Sequence, residues 1–292
     1  MRYIQALNNL WKIGAGMMIL TASCLAFPHQ GDAFGSDLGL IDADTLNQNR
    51  ARWVVLDARP KAEWEEGHIP RALPFCWEDY TRTDGEGIEY RMFSPRELAD
   101  GLAGLGIDET TPVVVYGDAN TSWGGEGWDA WVLSYLGHKG QIRILNGGIQ
   151  AWLGKGLPLV KDTRVDVMKK KRYLADLNPL LDISSHELDR SRGSLAIIDV
   201  RSTFERLKGR IPGSVHIPWE RFFEENDRRP ISPAGLRKLL ADHGVDTTRP
   251  IVYHCQVGVR SSYAWLVHEL SGLPSARNYE GGMAAWQKQI SR

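Results

Sequence analysis

The chain has 292 residues, with 35 Lys and Arg against 36 Asp and Glu, 42% hydrophobic residues and only 3 cysteines. At about 100–200 residues per domain this length points to two domains, each burying its own core. The formal net charge of -1 gives no field to draw in nucleic acid or to hold the protein on an anionic membrane, and three cysteines without a CxxC pair exclude a disulfide scaffold or a thiolate zinc site.

Residues 1–12 contain Arg2 and Lys12 and no acid, and Ile13 to Phe27 form an unbroken run of apolar or small residues. A basic start followed by an apolar stretch too short for a comfortable membrane span is the layout of an export signal. Residues 1–33 are therefore expected to send the protein to a bacterial periplasm. Gly31-Asp32-Ala33 offers a cleavage site, while Leu20-Thr21-Ala22-Ser23-Cys24 loosely follows a lipoprotein box with its large aliphatic residue one place early. Membrane association is expected only if this segment is retained or lipidated.

Beyond residue 35 the sequence repeats one plan in order. VVLDARPKAEWEEGHIPRA (54–72), VVVYG (113–117) and LNGGIQAW (145–152) are followed by AIIDVRSTFERLKGRIPGS (196–214), IVYHC (251–255) and YEGGMAAW (279–286). Each copy has a β-branched run ending in Asp-x-Arg, a second apolar run ending at or next to a tyrosine, and a Gly-Gly turn before a helical Trp. Helices are expected to open at Ser94-Pro95 and Ser232-Pro233, with a serine cap and proline at the first helical position. Strands alternating with helices predict a parallel α/β sheet in each half, over 36–160 and 179–292. The segment 161–178, with KKKR at 169–172, reads as a solvated connector. Two halves that can bury a shared face within one chain predict a monomer.

Ligands of such sheets bind beyond the carboxyl ends of the strands. There the second copy reads Ile251-Val252-Tyr253-His254-Cys255-Gln256-Val257-Gly258-Val259-Arg260-Ser261-Ser262, with a helix expected from about Ser262 through Trp265, Leu266 and Leu270. A cysteine placed before a tight loop and a helix is surrounded by N–H groups that have no intrahelical partner. Those donors and Arg260 should stabilise a thiolate and hold an anion bound to its sulfur. Gly258 lets the backbone turn its amides inward. His254 is expected to pack on the opposite side of its strand, and Ser261 and Ser262 to cap the helix or donate to a bound anion. Cys76, among Leu73, Pro74, Phe75 and Trp77, reads as a packed thiol, with a second redox thiol at the domain cleft as the other reading.

The paired Asp-x-Arg segments, the Gly-Gly turns and the CQVGVRS loop resemble the tandem-domain rhodaneses, the thiosulfate and 3-mercaptopyruvate sulfurtransferases, over residues 36–292. The resemblance implies a first domain without a catalytic cysteine, matching Gly117-Asp118-Ala119-Asn120-Thr121-Ser122-Trp123 after Tyr116, and a second domain with Cys255 as nucleophile. It implies transfer of a sulfane sulfur from thiosulfate to cyanide or a thiol through a Cys255 persulfide, without metal or organic cofactor. Gln256, Val257, Gly258, Val259, Arg260 and Ser261 would bind the donor, and Arg206 would grip it, with Arg210 or Arg201 as alternatives. Mercaptopyruvate-type loops read Cys-Gly-Ser-Gly-Val-Thr, and Gln256 and Arg260 depart from that pattern in the direction of dianionic thiosulfate. Asp199 with Arg201, and Asp57 with Arg59, are expected to pin loop architecture. Three further readings stand beside this one: a 3-mercaptopyruvate sulfurtransferase, a non-enzymatic persulfide carrier, and a cysteine phosphatase. The last needs His-Cys-x5-Arg, and His254-Cys255-x4-Arg260 is one residue short of it.

Overall fold

The computed structural model describes residues 36–119, 121–162, 170–224 and 228–290; the export reading of residues 1–33 lies outside them. The first half runs β1 (Leu38–Ile41), α1 (Ala43–Asn49), β2 (Val54–Asp57), α2 (Lys61–Glu66), β3 (Leu73–Pro74), a hairpin of β4 (Thr81–Arg82) and β5 (Arg91–Met92), α3 (Pro95–Gly104), β6 (Val113–Tyr116), α4 (Gly125–Tyr135), β7 (Ile142–Leu145) and α5 (Gly148–Gly154). The second runs α6 (Ser185–Ser191), β8 (Ala196–Asp199), α7 (Thr203–Leu207), β9 (Val215–His216), α8 (Pro233–Asp242), β10 (Ile251–His254), α9 (Val259–Glu269), β11 (Arg277–Asn278) and α10 (Gly282–Ile290).

Both main sheets are parallel, in the orders β1-β7-β6-β2-β3 and β11-β10-β8-β9. The second order matches the first without β1; in its place only a single bridge joins Asp182 to Asn278. Every residue of the central strands β2, β6, β8 and β10 is buried, as expected for continuous apolar runs covered by helices on both faces. Helices α3 and α8 begin at the expected serine caps, and Ser94 forms a reciprocal capping box with Glu97.

The two halves share one continuous core of buried residues, from Leu56 and Val115 through Trp128 and Trp131 to Tyr253 and Trp265, while smaller clusters fill the outer face of each sheet. The junction is α4 against α9. Gly127 makes that approach possible, because a Cβ there would stand 2.4 Å from the Tyr263 Cα. Among its described residues the connector carries no helix or strand, and Lys170, Lys171 and Arg172 are exposed. Where it is described it straps onto the first half, through Lys171 N–H to Ala103 O at 3.1 Å and Asp176 N–H to Leu136 O at 3.0 Å. Its Tyr173 is buried, with the hydroxyl 3.1 Å from His138 Nδ1. The buried ring anchors a segment that is otherwise largely exposed.

Candidate active site

Strands β8 and β10 pair in register, Asp199 opposite His254, so that Cys255 emerges at the carboxyl edge of the sheet, 1% exposed. Helix α9 starts at Val259, three residues before the expected point. The reason is Gly258, whose φ of +85° turns the loop directly into the helix as a left-handed cap, a conformation cheap only for glycine. Ser261 and Ser262 are thus first-turn residues, with hydroxyls 3.1 and 2.5 Å from the carbonyls of Gly258 and Val259.

Three of the loop carbonyls are held by residues outside the loop. Met283 N–H donates to Cys255 O at 2.9 Å and Ala284 N–H to Gln256 O at 3.1 Å, while Asn278 Nδ2 donates to Gly258 O at 3.1 Å. In a trans peptide the N–H points opposite to the carbonyl that precedes it. Fixing these three carbonyls therefore turns the N–H groups of Gln256, Val257 and Val259 toward the cradle. The Gly-Gly turn is the bed for this loop: a Cβ on Gly282, whose φ is +55°, would stand 2.5 Å from Gln256 O. Ser261 Oγ lies 3.5 Å from Cys255 Sγ and 2.6 Å from Asn278 Oδ1, so its hydroxyl can turn toward the sulfur when charge appears there.

Arg260 is placed at the cradle but not alone. Its guanidinium grips both oxygens of Glu205 at 2.8 and 2.6 Å, and it lies 6.0 Å from the ring of Trp123, which reaches across from the first half. Burial opposes ionisation of Glu205, yet the bonds from Arg260 and Ser202 outweigh it and hold the carboxyl at about 2. The sequence-level cation is therefore half of an ion pair. Arg206 lies in a different network: it donates to Asp199 Oδ2 at 3.3 Å, Ser214 Oγ at 3.2 Å and Ser214 O at 2.9 Å. Arg201 forms a bidentate pair with Asp199 at 3.0 and 2.7 Å and bonds Gly209 O at 2.7 Å; Arg59 repeats this with Asp57 and Gly67 O. His254 is fully buried, its Nε2 3.9 Å from Asp199; burial outweighs that carboxylate and lowers its pKa to about 4, so it is neutral at working pH. Cys76 is buried and burial pushes its thiol well up, which marks it as a packing residue.

Comparison with known proteins agrees with this geometry. The rhodanese-like domain matches twice, over residues 42–155 and 184–289. The chain belongs to the rhodanese family. Sulfur carrier protein TtuD of Thermus thermophilus is 30% identical over 246 residues, 76% of this chain and 83% of that protein. Rat thiosulfate sulfurtransferase is 29% identical over 255 residues, 81% and 83% of the two chains. In fold, the 3-mercaptopyruvate sulfurtransferase SseA of Escherichia coli superposes with a TM-score of 0.75 at 21% identity, covering 85% of this chain and 99% of that one. The protein is thus a tandem-domain rhodanese, with parallel sheets flanked by helices, and a sulfurtransferase.

In the first rhodanese domain the equivalent loop position holds no cysteine. Ile149 N–H bonds Gly117 O as Met283 N–H bonds Cys255 O, so Gly117 occupies the position of the cysteine. Glu126, the second residue of α4, occupies the position of Arg260, the second of α9. The loop between is longer, and the carboxylate folds back into the space: a Cβ on Gly117 would lie 2.3 Å from Glu126 Oε2. The first cradle is filled by the protein's own acid, which also bonds Ser122 Oγ at 2.8 Å. Burial raises this carboxyl from 4.5 to about 7. Below pH 4.5 it is protonated whether folded or unfolded; as pH rises to 7 the unfolded chain loses the proton first, so stability falls. Glu126→Gln removes this dependence, and its stability relative to wild type should rise by about 3 kcal/mol between pH 4.5 and pH 8. Urea unfolding at both values measures it; a difference that does not change with pH would contradict the assignment.

Sequence reasoning missed Glu205, Asn278 and the filled first cradle. The repeat did carry a signal for Glu205, since Glu63 holds the equivalent place after Asp57-x-Arg59. Asn278 sits in a two-residue strand with no pattern that could mark it.

Proposed function

We propose that the protein takes the outer sulfur of thiosulfate onto Cys255 and delivers it to a thiophilic acceptor, cyanide or a thiol. The observation that carries this reading is the loop itself, in which three carbonyls are tied to Met283, Ala284 and Asn278, leaving the amides that follow them to point the other way, and Ser261 Oγ stands 3.5 Å from Cys255 Sγ. The Cys255 thiolate attacks the sulfane sulfur, the S–S bond of thiosulfate breaks, and sulfite leaves with the electron pair. The terminal sulfur of the Cys255 persulfide then carries the negative charge that the preorganised donors stabilise. Attack by cyanide on that sulfur forms thiocyanate and returns the thiolate, giving a ping-pong cycle with a covalent intermediate.

The donor assignment draws on the rat relative's name and on Arg260, whose charge Glu205 offsets without removing it. The name of the Thermus relative supports a second reading, in which Cys255 serves as a carrier that hands its sulfur to a protein partner. Incubating the purified protein with thiosulfate should add the mass of one sulfur atom and release one sulfite per chain. No gain with thiosulfate but a gain with 3-mercaptopyruvate would reassign the donor. Gain without turnover to cyanide or small thiols would favour the carrier.

We further propose that residues 1–33 export the protein to the periplasm, which rests on the basic start and the apolar run. Among the described residues no helix is long and apolar enough to cross a membrane. Cell fractionation tests the export: recovery with cytoplasmic markers would overturn it.

A further inference from the structure

The first rhodanese domain has no cysteine in its own loop, yet it forms one wall of a cleft beside the other domain's catalytic loop. The hairpin of β4 and β5 crosses to the second domain, where Arg91 pairs with the buried carboxylate of Glu280 and Met92 N–H bonds Glu280 Oε1 at 2.9 Å. Glu280 is part of the loop's bed, since a Cβ on Gly258 would stand 2.6 Å from its carbonyl oxygen. The hairpin is therefore anchored to the same segment that shapes the cradle. Between its tip and the loop lies a cleft of about 520 Å³, with Ile88, Glu89 and Tyr90 on one side and Gln256, Val257 and Lys288 on the other.

Two features indicate a built site. Tyr90 has φ +58°, a left-handed conformation that is strained for a bulky residue and that persists only where the surroundings enforce it. Packed edge-on against Trp77 at 5.5 Å, its ring stays 47% exposed. The cleft carries charge of both signs, with the exposed carboxylates of Glu86 and Glu89 on the hairpin wall and the exposed ammonium of Lys288 on the α10 wall. Gln256 and Val257, which line the cleft, directly follow Cys255 in the chain, so the cleft borders the catalytic loop.

We propose that this cleft is the acceptor site, and that it selects a small thiol bearing both an ammonium and a carboxylate. The ammonium would face Glu89, the carboxylate Lys288, and the chain between would lie on Tyr90 with its sulfur toward Cys255. The acceptor thiol gives its proton to the anionic outer sulfur and its own sulfur attacks that atom; the Cys255 S–S bond breaks, the acceptor leaves as its own persulfide carrying the proton, and Cys255 returns as thiolate. No oxidant or reductant is consumed. The proposal rests on the persulfide reading above.

Reduced glutathione, which carries both charges, and uncharged 2-mercaptoethanol are the probes, each with thiosulfate as donor. The ratio of kcat/KM for glutathione to that for 2-mercaptoethanol should fall about five-fold in Glu89→Lys and in Lys288→Glu, as expected for reversing one exposed charge contact. Tyr90→Gly, which removes the ring and suits the backbone angle, should also lower the ratio, through the KM for glutathione. A ratio within two-fold of wild type in all three variants overturns the proposal. The mass of the thiosulfate-treated protein separates the two failures, because a wild type that never gains sulfur defeats the persulfide reading itself.

Discussion

Cys255→Ser is expected to abolish sulfur transfer, lowering kcat by at least about 10⁴-fold, the scale seen when a covalent nucleophile is removed. The physical reason is that a serine hydroxyl does not ionise near neutral pH, while every step of the cycle passes through a sulfur–sulfur bond to this residue. The fold should survive, because the side chain is nearly the same size and Ser261 Oγ already stands 3.5 Å away to accept or donate a hydrogen bond. A melting temperature within a few degrees of wild type, with no sulfur gained from thiosulfate in mass spectrometry, is the expected pair of results. Retention of the persulfide by the variant would move the chemistry to another residue.

Gly258→Ala should be nearly as damaging without touching the nucleophile. At φ +85° an alanine costs about 1–2 kcal/mol in the left-handed region alone, and its Cβ would meet the Glu280 carbonyl at 2.6 Å. Neither contact partner can swing away, since both belong to backbone, so the loop itself must move. A displacement of about 1 Å is enough to cost on the order of 100-fold in rate when donors must face a developing charge. The rate of sulfite release should fall by that factor, with a lower melting temperature. Unchanged kinetics would mean that the cradle does not stabilise the transition state.

Much of this protein could be read from its residues. The repeat of Asp-x-Arg and Gly-Gly segments gave two parallel sheets, because buried parallel strands need continuous apolar runs and those runs are visible. The serine–proline helix starts at 94 and 232 were correct because capping is a local interaction between a side chain and the next turn. The start of α9 was misplaced because Ser262 looked like a cap, while the true cap was a glycine whose backbone angle no composition rule reports. The described part of the connector's basic run is exposed, as its composition suggests, but the burial of Tyr173 depends on a partner, His138, 35 residues away, and no local pattern reports it.

What the sequence determined by itself was the plan and the candidate nucleophile: two copies of one α/β unit and one cysteine at the end of β10. These follow from periodicity and from the order of residues along the chain. What only the tertiary structure decided was the electrostatics. Arg260 is offset by Glu205, 55 positions away; the first cradle is filled by Glu126; and the first domain's hairpin is fixed to Glu280, 188 positions from Met92. Charge interactions depend on distance in space and on burial, and neither is written in the spacing of residues.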